Sequence, residues 1–452
     1  MRKLSLAELA PIVDGRVTGG DATVQGVTTD SRSVHEGDLF VALVGERDDG
    51  HEFVEVARGN GAAASLVQRE TPGMPAVVVA DTGSALLRLA TVERDHMEAT
   101  VVGITGSTGK TSVKDLTATV LASRLSVAAS PRSFNTEVGV PVTLLNAPLT
   151  AEAIVVEMGS RGRGHIATLC EVARPQIGAI TNVGLAHMQM FGTLENVADA
   201  KAELIESLPE DGAAVLNADD PVVRGFDART RARVVRFGLA SDADVTAEDV
   251  ALDRLGHPAF TLRTPDGAER VELPLVGEHM VANALAAVAV GVCLGLSAAE
   301  CAAGLKEAKL SPWRMETFEM AGGIRVLNDA YNANPTSMAA ALKAARWMAQ
   351  EGRSIAVLGE MAELGDMAAS EHERVGELVA RLGIDHLVVV GTGAVAIAIG
   401  AEREGVEPER IHRVETVEDA LRQVRAIARE GDVILLKGSR VAGLERIARE
   451  LA

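Results

Sequence analysis

Aromatic side chains are scarce in this chain: Phe, Trp and Tyr make up 2% of 452 residues, and there is one tyrosine. Alanine and valine carry much of the apolar load instead, so the cores are expected to be filled by many small side chains. Cysteine is equally sparse. Cys170, Cys293 and Cys301 are odd in number and form no C-x-x-C pair, which excludes a disulfide framework and predicts reduced core residues of a cytosolic protein. Positive charge is in deficit, with 63 acidic against 44 basic residues and a formal charge of −19. That balance argues against a nucleic-acid partner or an anionic membrane, while leaving room for a local basic cleft. No secretion signal is expected, because Glu8 falls inside what would be the apolar region of a signal peptide. Residues 280–299 carry no charge over a membrane-spanning length, yet they are rich in Ala, Gly and Val, include Asn283 and lie between Glu278 and Glu300. A buried helix is predicted rather than a membrane insertion.

Length and an ordinary apolar share of 47% predict about three domains, each with its own core. The most informative stretch runs Thr100-Val101-Val102-Gly103-Ile104-Thr105-Gly106-Ser107-Thr108-Gly109-Lys110-Thr111-Ser112. A β-branched run leads into a glycine-rich loop and then a helix-compatible segment, the order of a phosphate-binding P-loop. Gly106 and Gly109 let the backbone curl with its N–H groups inward, Lys110 adds a full positive charge, and the Thr111 hydroxyl can ligate Mg²⁺. The loop is a variant, since Gly103 rather than residue 104 supplies the first glycine.

Before this loop, short strands and polar turns include Asp30-Ser31-Arg32, able to hydrogen-bond a polar or phosphorylated ligand. A domain boundary is expected near residue 98. After it, buried strands alternate with helices, which predicts a parallel sheet covered on both faces. Two predicted strands end near Glu157 and His187. Ligands of open α/β sheets sit at the carboxyl ends of strands, so both residues are expected beside Lys110 and Thr111 as a Mg²⁺ site. Lys201 lies in an amphipathic helix pattern, where spacing alone predicts a solvated side chain. Residues 242–274 have β character. From Ile324 onward strands and helices alternate again, as in a small Rossmann-like unit, with polar clusters at Asp329 to Pro335, Gly359 to Gly365 and Lys437 to Arg440.

Together, Thr105 to Thr111, Ser133-Phe134-Asn135-Thr136-Glu137-Val138-Gly139-Val140-Pro141, Asn328-Asp329-Ala330-Tyr331-Asn332-Ala333-Asn334-Pro335 and Lys437-Gly438-Ser439-Arg440 resemble the Mur ligases of peptidoglycan synthesis, over essentially the whole chain. The resemblance implies an α/β fold of three domains: a small UDP-substrate-binding α/β domain at 1–98, a central P-loop ATPase domain at 99–312 and a Rossmann-like domain at 313–452. It implies a cytoplasmic, monomeric, ATP-dependent ligase joining D-alanyl-D-alanine to UDP-N-acetylmuramoyl-tripeptide. It further implies that Gly106, Ser107, Thr108, Gly109, Lys110, Thr111 and Ser112 cradle ATP phosphates, with Asn135, Asn283, Arg314 and Asp329 as further nucleotide contacts. Thr111 and Glu157 would hold one Mg²⁺; His187 and a carbamylated Lys201 would hold a second. Asp30, Ser31 and Arg32 fall where relatives hold the UDP end of the substrate, and Asn332, Asn334, Lys437, Ser439 and Arg440 fall on the substrate side of the C-terminal domain.

Two departures from the family pattern stand out. Ser160-Arg161-Gly162-Arg163-Gly164-His165 is more basic than expected, and Asn135-Thr136 replaces an Asn-Asn pair. Alternatives are another ligase of the superfamily, such as the tripeptide-forming enzyme or a folylpolyglutamate synthase, and a non-catalytic nucleotide-gated binding protein. A dinucleotide oxidoreductase is disfavoured because no G-x-G-x-x-G opens a helix in the C-terminal unit.

Overall fold

The computed structural model describes residues 1–45, 48–350 and 352–452. It contains three α/β layers in succession. The first is built on a five-stranded sheet in the order Arg16–Thr18, Ala76–Val78, Ala64–Val67, Asp38–Val41, Gly26–Thr28. All its pairings are parallel except the first. Asp81 caps the helix Thr82–Arg94 by accepting from the Ser84 N–H at 2.7 Å, and this helix leads the chain into the second layer.

The central sheet has six parallel strands, ordered Arg233–Phe237, Ala213–Asn217, Ile177–Ile180, Thr100–Thr105, Ala153–Glu157, Val127–Ala129. Its inner strands are mostly apolar because both faces are covered: every residue of Ala153–Glu157 and of Ile177–Ile180 is buried, the terminal Glu157 included. Residues 246–272 fold as a separate three-stranded antiparallel sheet, in agreement with the β character of that stretch. The uncharged stretch 280–299 is interrupted. Helix His279–Cys293 spans 15 residues, about 22 Å at 1.5 Å each, and Gly295 at φ 74° turns the chain into the capped helix Ala298–Lys306. No described helix is long and apolar enough to cross a membrane.

The third layer is a six-stranded sheet ordered Glu316–Met320, Ile324–Asp329, Val433–Lys437, Ser354–Leu358, His386–Val390, Ile411–Val414, parallel except for its first pair. Helix Val395–Arg403 and strand Ile411–Val414 were not expected from the sequence. The helix is short and carries Gly400, whose low helix propensity weakens the pattern. The glycines are there for closeness: a Cβ on Gly376 would stand 1.9 Å from Ile397 O and one on Gly400 2.0 Å from Glu373 O, so this helix and Ala368–Leu382 touch backbone to backbone.

Candidate active site

The strands Thr100–Thr105, Ala153–Glu157 and Ile324–Asp329 end at one cavity of about 440 Å³, lined from both the central and the C-terminal layer. Gly106 takes φ 152° and Gly109 φ 83°, a geometry that opens the loop before helix Lys110–Ala122. The loop is tied down at several points. Thr181 Oγ1 donates to Thr108 O at 2.6 Å, Asn182 Oδ1 accepts from Thr108 N at 2.9 Å, and Ser107 Oγ donates to Gly184 O at 3.0 Å. Lys110 Nζ donates back to Gly106 O at 2.6 Å. Burial pushes the Lys110 ammonium below its usual range, opposed by Glu157 and reinforced by Arg314.

Glu157 is 1% exposed at the end of its strand. Its carboxylate is held by neutral donors, Thr111 Oγ1 at 2.6 Å and Asn135 Nδ2 at 2.7 Å. Arg314 reaches in from the C-terminal side to donate to Ser133 Oγ at 3.0 Å and stacks on the Tyr331 ring at 4.2 Å. Among the described residues no group of three or more His, Cys, Asp or Glu is arranged for a metal. The Thr111 hydroxyl and Glu157 carboxylate nevertheless offer two hard oxygen ligands, the donor set Mg²⁺ uses when phosphates and water complete its octahedron.

His187 and Lys201 line the same cavity. His187 sits at φ 55°, and its Nδ1 pairs with Glu363 of the C-terminal layer. Burial lowers its basicity, as does Lys110, while Glu363 opposes. Lys201 does not point to solvent as helix spacing alone predicts; it is 3% exposed. Burial and then the Lys110 charge hold its amine well below the ordinary lysine range. Asp329, Asn332, Asn334 and Lys437 also line the cavity, with Asn283 on the central side. Lys437 Nζ is paired with Asp329 Oδ2 at 2.5 Å and donates to Asn332 O at 3.0 Å.

Other expected residues are not brought to the cavity. Arg32 forks onto Asp30 at 2.8 and 2.9 Å, and Ser31 O accepts from Asn60 Nδ2 at 2.8 Å, all within the N-terminal layer. Ser439 is 3% exposed, and its Oγ accepts from Ala362 N at 2.9 Å, tying two strand-end loops together. Arg440 lies over Trp313 at 4.4 Å and pairs with Glu445 at 3.0 Å. Conversely, His279, Ser133, Ser160 and Arg161 line the cavity, although no sequence pattern marks them as ligands. Burial lowers His279 to about 4, with Asp329 opposing. A lone histidine ahead of an apolar helix gives no sequence signal of such a position.

A phosphate loop, a buried carboxylate–hydroxyl pair and a facing set of groups from a second layer suit binding of a nucleoside triphosphate and transfer of its terminal phosphoryl group. Family comparison agrees. Residues 23–87 match "Mur ligase family, catalytic domain", 104–291 match "Mur ligase middle domain" and 313–440 match "Mur ligase, glutamate ligase domain". The chain is 42% identical to a Mycobacterium tuberculosis protein named UDP-N-acetylmuramoyl-tripeptide--D-alanyl-D-alanine ligase, over 100% of this chain and 98% of that one. Among solved structures, MurF from Acinetobacter baumannii superposes with a TM-score of 0.87 at 30% identity, covering 100% of this chain and 99% of that chain. MurF ligase from Thermotoga maritima in complex with ADP gives a TM-score of 0.81 at 30% identity, covering 95% and 97%. By sequence and fold over its whole length, the chain belongs to the Mur ligase family.

Proposed function

We propose that this protein is an ATP-dependent ligase that joins D-alanyl-D-alanine to UDP-N-acetylmuramoyl-tripeptide in the cytoplasm, acting as a monomer. The observation that carries this reading is the single cavity in which Lys110, Thr111 and Glu157 of the central layer face Arg314, Asp329, Asn332 and Lys437 of the C-terminal layer. Full-length relatives bearing that activity in their names support it. We take the working units as 1–98 for the UDP end of the substrate, 99–312 for ATP and 313–452 for closure over the reacting groups. In this reading Asp30, Ser31 and Arg32 hold the UDP end away from the cavity, so Arg32 must exchange part of its bond to Asp30 for the ligand.

The tripeptide's terminal carboxylate attacks the γ-phosphorus, ADP leaves, and an acyl phosphate forms. The dipeptide amine then attacks the acyl carbon, and phosphate departs with the C–O electron pair as the amine loses its proton. Lys110 and the loop N–H groups face the β- and γ-phosphates, where charge accumulates in the first step. Asn135 orients Glu157, while Asn283, Arg314 and Asp329 hold the nucleotide. Mg²⁺, when bound at Thr111 and Glu157, supplies charge neutralisation for those phosphates. His187 and a carbamylated Lys201 would hold a second ion. Burial supports that step: an ordinary lysine is neutral only about one part in a thousand near pH 7.4, and a depressed amine is neutral far more often, as attack on CO₂ requires. Closure of the C-terminal layer over the cavity would shield the acyl phosphate from water.

Phosphate release measured with each substrate omitted in turn tests the assignment. Release should require ATP, the UDP-linked tripeptide and D-alanyl-D-alanine together. Equal turnover with a single amino acid in place of the dipeptide would overturn it.

A further inference from the structure

The basic segment after Glu157 is not used by the phosphate chemistry, yet its first two residues line the cavity. Ser160 is 8% exposed, and its Oγ has no hydrogen-bond partner among the described residues. A buried hydroxyl left without a partner costs free energy unless a ligand supplies one. Its neighbour Arg161 is exposed at the cavity rim. Two residues further on, Arg163 is occupied by Asp199 at 2.9 Å, but no ion pair engages Arg161 among the described residues. Glu137 stands on the adjoining segment of the same rim, its side chain 43% exposed. Gly159 N donates to Asn135 O at 2.8 Å and His165 Nδ1 lies 3.4 Å from Glu137, so the two segments are fastened side by side.

An arginine and a free hydroxyl that line the same cavity as a carboxylate offer the opposite charges that a zwitterionic amino-acid head requires. We propose that Ser160 Oγ, Arg161 and Glu137 form a subsite for the side-chain end of the tripeptide's third residue, and that they select a diamino dicarboxylic acid over a diamino monocarboxylic one. The third residue carries the attacking carboxylate and must therefore lie beside Lys110 and Glu157. Its side chain then reaches the rim three and four residues beyond Glu157. There Arg161 and Ser160 take the distal carboxylate, and Glu137 takes the ammonium on the same carbon. A lysine-type side chain satisfies Glu137 alone and leaves the arginine and the buried hydroxyl without a partner. A site built for a charged group discriminates strongly against a substrate lacking it.

This inference rests on the ligase reading above, and the test separates the two. Initial rates of the intact protein are compared with UDP-linked tripeptides ending in diaminopimelate or in lysine, saturating in ATP and D-alanyl-D-alanine. The diaminopimelate form should have a kcat/KM about ten- to hundredfold higher. In Arg161→Ala that ratio should fall at least tenfold, mainly through KM, and Ser160→Ala should reduce it in the same direction. Glu137→Gln should weaken both substrates alike, because both carry the ammonium. Calorimetric titration of the Arg161→Ala protein with a non-hydrolysable ATP analogue should match the unsubstituted protein. Equal kcat/KM for the two substrates in the intact protein would overturn the subsite while leaving the ligase reading in place. Loss of ATP-analogue binding in Arg161→Ala would instead make the arginine a phosphate contact and also overturn the subsite. No turnover of either substrate would bring down both readings.

Discussion

Replacing Gly106 with alanine tests whether the phosphate loop works as a rigid cradle. A Cβ there would stand 1.9 Å from Thr181 Oγ1, 3.1 Å from Thr181 Cβ and 3.2 Å from Asn182 N, at φ 152°. Thr181 must swing away, breaking its 2.6 Å bond to Thr108 O, which leaves that carbonyl to Asn182 alone at 3.1 Å. Loss of the hydrogen bond costs about 1 kcal/mol and the overpacking about 1 to 3 kcal/mol. The central layer should thus lose roughly 2 to 4 kcal/mol, read from the unfolding transition that added nucleotide shifts. Nucleotide-analogue binding should weaken at least about tenfold, because Gly106 O, which receives Lys110, moves with the loop. The double substitution Gly106→Ala with Thr181→Ala removes the nearest clashing atom and should recover part of both losses. Unchanged stability and affinity in the single variant, or a double variant no better than the sum of the singles, would refute the rigid-cradle account.

Lys110→Ala should lower turnover by about two to four orders of magnitude, on the scale of a lost electrostatic contact, with the unfolding transition nearly unmoved; near-normal phosphate release would remove Lys110 from its role. Lys201→Ala should abolish turnover, with partial rescue by a small added carboxylate, and the intact protein with Mg²⁺ and nucleotide should show extra planar density on the Lys201 amine. Stability should fall on acidification between about pH 6.5 and 4. His279 is about 4 when folded against an ordinary value near 6.5, so the unfolded state binds more protons in that window, and the loss is at most about 3 kcal/mol, less where the cavity hydrates the ring. His279→Asn should flatten that part of the stability profile; an unchanged slope would show that other groups carry it.

The parallel sheets were legible because strands buried on both faces read as near-continuous β-branched and aliphatic runs, broken only by Gly103 in Thr100–Thr105 and by the terminal Lys437 in Val433–Lys437. Helix Val395–Arg403 escaped because glycines that permit close helix contact also weaken the local helical pattern. The phosphate loop announced itself, since its residue types are dictated by backbone geometry and one charge. Lys201 did not: an amphipathic pattern says which face of a helix is apolar, and only the tertiary arrangement shows that this lysine enters a cavity beside Lys110. The pairing of His187 with Glu363 was equally invisible, because it joins residues 176 positions apart across two layers. Ser439 and Arg440 show a further limit. A polar cluster at a strand end reads as a ligand contact, and the pattern does not reveal that Ser439 also ties loops together and that Arg440 packs on Trp313.

The central claim is that a substrate carboxylate is activated by phosphoryl transfer in the cavity that Lys110, Glu157 and Arg314 share. Turnover of a UDP-linked tripeptide with ¹⁸O in its terminal carboxylate, followed by mass analysis of the released phosphate, examines that step directly. The carboxylate oxygen that attacks the γ-phosphorus stays on phosphate when the amine displaces it, so one ¹⁸O should appear in each phosphate formed from doubly labelled substrate. Phosphate free of label, with the amide still formed, would contradict the account.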